Sequence, residues 1–134
     1  MATNIIYKPG QGIPAPVASG TKSGDPVHVG SLNGVAVTDR AKTDVAPLNA
    51  DGSINTSYNA GGGNANGNAS VWFEGVAKVV VTSAAAPTFG QPVHLGASGL
   101  TTTPGSDPLW GHAVDLAPVA GTAGTFVTLV RISN

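Results

Sequence analysis

Gly24-Asp25-Pro26-Val27-His28-Val29-Gly30 returns as Gly90-Gln91-Pro92-Val93-His94-Leu95-Gly96, with Gly, Pro, Val, His and the closing Gly in the same places. A second echo follows each copy. Leu32-Asn33-Gly34-Val35-Ala36-Val37 is answered by Leu109-Trp110-Gly111-His112-Ala113-Val114, and both carry Leu-x-Gly-x-Ala-Val. The second pair lies further apart (32 to 109) than the first (24 to 90), so the second copy carries an insertion between its two pieces. The chain therefore reads as two related halves, about 23–81 and 89–132, of one β domain.

Each copy has the chemistry of a turn feeding a short strand. Proline fixes φ and has no N–H, which suits the first residue of a strand, and the residue before it is pushed towards extended geometry. Val-His-Val and Val-His-Leu alternate, placing the apolar pair on one face and the imidazole on the other. Asn33-Gly34 is a favoured pair for a tight hairpin turn, so a turn is expected there, between strands ending at Val29 and beginning at Val35.

The 134 residues are one domain's worth of chain, enough for a single core without staples. With no cysteine, disulfides, thiolate metal sites and cysteine nucleophiles are excluded. Charged residues make up 10% of the chain, against about 25% in a typical soluble protein. A chain that is 41% hydrophobic at net charge −1, with 19 glycines and 10 prolines, is turn-rich and β-leaning rather than disordered. So charge-poor a surface suits being covered by a partner. Six Lys and Arg spread along the chain make no basic patch, and the aromatics are too few to stack on bases, so no nucleic-acid partner is expected. No signal peptide and no membrane span are read, so synthesis in the cytoplasm is expected.

Residues 1–22 read as an extended arm. Asn4-Ile5-Ile6-Tyr7-Lys8 has strand character, and Pro9, Gly10, Gly12, Pro14 and Pro16 then exclude a regular element. Such an arm is either an edge strand or frayed end of its own domain, or a clamp that reaches a neighbour. Arg40 to Asp44 reads as a solvated loop before a short strand at Val45-Ala46, and 55–70 as a mobile, exposed Asn/Gly-rich loop. Residues 71–81, from Val71-Trp72-Phe73 through Gly75 to Val79-Val80-Val81, carry the strongest strand signal, with a bulge or close approach at Gly75. Further strands are expected at Thr101-Thr102-Thr103 and over Phe126–Ile132, and no segment has helical periodicity.

Chemistry-bearing groups are sparse. The acids include a single Glu, Glu74, and the histidines are His28, His94 and His112. His28 and His94 are equivalent in the repeat and read as two strand residues facing solvent, not as a shared metal site. Ser19-Gly20-Thr21-Lys22 fits Ser-x-x-Lys without its companion motifs, and the glycines at 61–63 and 67 lack the strand and helix of a phosphate cradle. Asn55-Thr56-Ser57 and Asn68-Ala69-Ser70 fit the glycosylation pattern but mean little without a secretion signal. No catalysis, metal or cofactor is expected.

The order of these pieces resembles a family of small capsid decoration, or cement, proteins of tailed phages. The likeness runs through Ser23-Gly24-Asp25-Pro26-Val27, Gly34-Val35-Ala36-Val37-Thr38-Asp39, Glu74-Gly75-Val76, Gly90-Gln91-Pro92-Val93-His94, Leu100-Thr101-Thr102-Thr103, Gly111-His112-Ala113-Val114 and the final Val127-x-Leu129-Val130-Arg131-Ile132. It covers most of the chain from residue 23 onward; the Asn/Gly stretch and the Pro-rich arm depart from it.

The resemblance implies an all-β fold, a small compact β barrel or β-tulip-like domain over 23–134. It implies a virion protein on the outer capsid surface, a homotrimer that bridges neighbouring major capsid proteins and stabilises the expanded lattice by mass action. Ile5, Ile6, Tyr7 and Pro9 of the arm are then the candidate capsid contacts, and Trp72 and Trp110 are candidates for trimer or core packing. Other readings are a tail or head-completion β domain, or a small carbohydrate- or surface-binding module.

Overall fold

The structure, a computed structural model, describes residues 11–134. The chain is all-β, with ten strands and no α-helix among the described residues. They are β1 (Ile13–Pro16), β2 (Pro26–Val29), β3 (Leu32–Ala36), β4 (Asn68–Trp72), β5 (Val76–Thr82), β6 (Pro92–Gly96), β7 (Gly99–Thr101), β8 (Leu109–Ala113), β9 (Val119–Ala120) and β10 (Thr125–Ile132).

The repeat holds at the level of single hydrogen bonds. Ahead of β2 the Asp25 N–H donates to Lys22 O (3.0 Å) while Asp25 Oδ2 accepts the Lys22 N–H (2.8 Å). Ahead of β6 the Gln91 N–H donates to Thr88 O (3.0 Å) and Gln91 Oε1 accepts the Thr88 N–H (3.0 Å). Each turn is thus closed by backbone and by the side chain before the proline, and each has a glycine at positive φ, Gly24 (+93°) and Gly90 (+85°). Gly24 N–H then reaches Ala36 O and Gly90 N–H reaches Ala113 O, both at 2.7 Å. As expected, Pro26 and Pro92 begin their strands, with Val27 and Val93 buried.

The chain forms two compact units, and it passes between them within the repeat. The first contains the described residues up to Asp25 together with Val35–Trp72. Here β1 pairs antiparallel with β4, and β4 with the end of β3 (Val35↔Trp72, Ala36↔Val71). The core is Ala15, Ala36, Ala41, Ala69 and Val71. Small side chains suffice because the loops are tied by backbone: Ala41 N–H donates to Asn68 O (2.8 Å) and Gly67 N–H to Ala41 O (2.9 Å).

The second unit, Pro26–Gly34 with Phe73–Asn134, holds a barrel-like sheet. β5 pairs with β10, β10 with β8, β8 with β6, β6 with β7, and β7 in parallel with β5, so the pairings return to their starting strand. β9 adds to the side of β10 opposite β5. Inside lie Val79, Val81, Val93, Leu100, Ala113, Val130 and Ile132. The order β5-β10-β8-β6 repeats the order β1-β4-β3-β2, so by strand order the copies run from β1 to β4 and from β5 to β10 rather than over about 23–81 and 89–132, and the inserted segment of the second copy supplies β7. The insertion is therefore what closes the ring.

Several sequence expectations are corrected. The hairpin turn is at Gly30-Ser31, and Asn33-Gly34 lie inside β3, because the buried Asn33 amide is used for tertiary hydrogen bonds. The run 71–81 is two strands of different sheets: Phe73–Gly75 is a turn with Gly75 at φ +103°, not a bulge. Pro14 and Pro16 do not prevent β1. Among the described residues it pairs only with β4, and alternate positions along an edge strand can lack the N–H that would point away from the sheet. The 55–70 segment contains a short 3-10 turn at Gly61–Gly63 and ends in β4. In place of a strand at Val45-Ala46 there are two isolated bridges, Lys42↔Asn59 and Leu48↔Ile54. The Thr101 strand begins earlier, at Gly99.

Candidate functional site

Two side chains that the repeat makes equivalent, Asn33 and Trp110, sit at the second position of β3 and β8, and both strands show the same alternation of buried and exposed residues. Each binds the other copy's backbone. Trp110 Nε1 is shared between Val27 O and Gly34 O, both at 3.3 Å, while Asn33 Nδ2 donates to Leu109 O (2.9 Å) and Ser133 O (2.7 Å). A register shift gives Trp110 this reach: Val93 pairs with Gly111 and His94 with Leu109, leaving Trp110 as the extra residue of a bulge. Trp110 is fully buried, so the structure places it in the core of the second unit, and that burial contributes on the order of 5 kcal/mol. Trp72, in the first unit, is 46% exposed.

The histidines are held singly. Asn33 Nδ2 is committed to carbonyls, so its Oδ1 accepts from His28 Nδ1 at 2.7 Å, which fixes the proton on that nitrogen. His94 Nδ1 donates to Asp107 O (3.2 Å), and His112 Nδ1 meets Ser133 Oγ (2.9 Å). Among the described residues no three His, Asp or Glu side chains converge as metal ligands. Lys22 of the Ser-x-x-Lys match lies 3.1 Å from Asp39, in an exposed ion pair.

Asp39 is held by three donors. The Ser23 N–H at 2.9 Å, then the Lys22 ammonium and the Asn59 amide, each at 3.1 Å, hold its carboxyl below the usual range. The Lys42 ammonium does the same for Asp44, and the Ser53 hydroxyl and N–H for Asp51. Arg40 and Ala41, expected in a solvated loop, are instead fixed: Arg40 Nε donates to Val17 O (3.1 Å) and Ala41 is fully buried.

Sequence reasoning missed the outer face of β5, β9 and β10. Val80, Val127 and Val119 line up across the three strands, and Leu129 stands opposite Lys78 and Arg131 opposite Val76. Val76 is 56% exposed, Val80 58% and Val119 64%, and the nearby Leu116 is 89% exposed. Lys78, Asp115, Val119, Val127 and Leu129 line a shallow groove of about 390 Å³. The alternation Val76, Lys78, Val80 was in the sequence, but Ala77, Val79 and Val81 between them are just as apolar, so the pattern could not separate outer from inner face.

Ile5, Ile6, Tyr7 and Pro9 lie outside the described residues. No described helix is long and apolar enough to cross a membrane. Comparison with family models, with curated proteins and with solved structures finds no match.

Proposed function

We propose that this chain is a structural virion protein that decorates the outside of a phage capsid, binding the expanded lattice of the major capsid protein and bridging neighbouring capsomers as a homotrimer. The reading rests on the sequence resemblance. The observation that carries it furthest is the exposed apolar side chains on a charge-poor β scaffold, notably Val80, Val119 and Leu116, a surface of the kind that a protein partner covers. Asn33, His28 and Asp39 are spent on the fold itself, each serving backbone or neighbouring side chains. A ligand that binds only the expanded shell stabilises it by RT ln(1 + [L]/Kd) per site, summed over many sites.

The test is co-sedimentation of the purified protein with unexpanded and expanded shells lacking it, with native mass measured alongside. Saturable binding to expanded shells alone, in fixed ratio to the major capsid protein, is the expected result. Binding to neither shell by a folded protein returns the chain to the tail, head-completion or surface-module readings. The arm is tested by removing residues 2–10, which is expected to weaken shell binding. The cut stops short of β1, because Ala15 is buried in the first unit and its strand pairs with β4.

A further inference from the structure

We propose that the outer face of β5, β9 and β10 is a docking surface for another protein whose contact region is apolar and flanked by carboxylates; on the capsid reading, on which this inference rests, that protein is the shell. The centre of the face is the row Val80, Val127 and Val119, continued by Leu129 and Val76. Val80 and Val119 are exposed and Val127 between them is half-buried, so the three paired strands carry a contiguous apolar stripe rather than scattered surface residues.

The charges say what covers it. Lys78 and Arg131 project from the same face, and no hydrogen bond or ion pair within the described residues engages either side chain. The acid at the groove, Asp115, accepts the Ala117 N–H (2.9 Å) on one oxygen and the Leu129 N–H (3.2 Å) on the other and keeps its charge, so the face carries two cations against one carboxylate. The face therefore offers two unengaged cations beside an apolar stripe. A second copy applied through the same face would bring like charges together, whereas a partner with carboxylates at the rim would pair both cations and bury the valines.

The stripe and the charges are tested separately on shells made of the major capsid protein of the virus that encodes this chain. Val80→Glu with Val119→Glu replaces two exposed side chains, so folding, checked by circular dichroism and Tm, is expected to be unchanged. Affinity for expanded shells is expected to fall by roughly 30-fold or more, the scale of losing hot-spot contacts. Lys78→Glu with Arg131→Glu is expected to weaken binding strongly at low salt, with a loss that shrinks as salt screens the pair. Ile54→Glu, at an exposed position of the first unit, is the control and is expected to bind as wild type.

Wild-type binding with both double variants unimpaired overturns the docking face and leaves the capsid reading in place. Wild-type failure to bind any shell overturns both. A wild-type oligomer that the Val80→Glu, Val119→Glu variant turns into a monomer makes the face a contact between copies and overturns the carboxylate-flanked partner.

Discussion

Thr128 is the residue whose environment departs furthest from the rest of the core. It lies on the inner side of β10 at 1% exposure, and its hydroxyl has no hydrogen-bond partner among the described residues. A buried hydroxyl without a partner carries its full desolvation cost, and valine has the same shape. Thr128→Val is expected to raise stability by about 1 kcal/mol, read as a higher midpoint in urea unfolding with an unchanged slope. A loss of stability would mean that the hydroxyl is satisfied in solution. Gly111 carries the opposite expectation. It is buried opposite Ile132, and an added methyl would overlap the Arg131 carbonyl and stand 2.7 Å from Val130 Cγ1. Gly111→Ala is expected to cost about 1–3 kcal/mol, the scale of overpacking. Asn33→Ala would leave the Leu109 and Ser133 carbonyls without their amide donor. Its expected cost is about 2–3 kcal/mol, and a change under 0.5 kcal/mol would show that water replaces the amide.

At the scale of elements, the strands that sequence made legible are those with local punctuation. The turn before β2 was readable because glycine, a capping side chain and proline follow one another, and β6 was readable because the same string recurs. β10 was readable from its alternation. The break between β4 and β5 was not, since Gly75 marked an irregularity but the β-favouring residues on either side read as one bulged strand, and only the pairing of each half with a different sheet divides it. β1 was missed because proline is normally evidence against a strand, and an edge position suspends that rule. This gives a prediction for the element: the side of β1 away from β4, unpaired among the described residues, lacks donors at Pro14 and Pro16, so Pro14→Val with Pro16→Val is expected to promote edge-to-edge association. Light scattering across a concentration series reads it, and the double variant remaining as dispersed as wild type would show that the prolines do not protect this edge.

Over the whole molecule, Asp39, Asp44 and Asp51 are all held below the ordinary carboxylate range by hydrogen bonds and lysines. A group whose pKa is depressed on folding contributes stability that is present above its unfolded value, about 4, and is lost as pH falls through the folded value. Tm is therefore expected to be flat between pH 7 and 5 and to drop below about pH 4. Asp39→Asn, which removes one of these groups, is expected to make that acid drop shallower; an unchanged acid limb would assign the dependence to other carboxylates. The sequence by itself determined the all-β class, the duplication and the existence of an insertion, because turn chemistry and alternation are properties of a few neighbouring residues. Tertiary structure decided the rest. It gave the first copy's hairpin to the second copy's unit, made the insertion the closing strand β7, buried Trp110 and left Val80 outside. Which face of an apolar strand meets water depends on what packs against it, and that partner is fixed by residues distant in the chain.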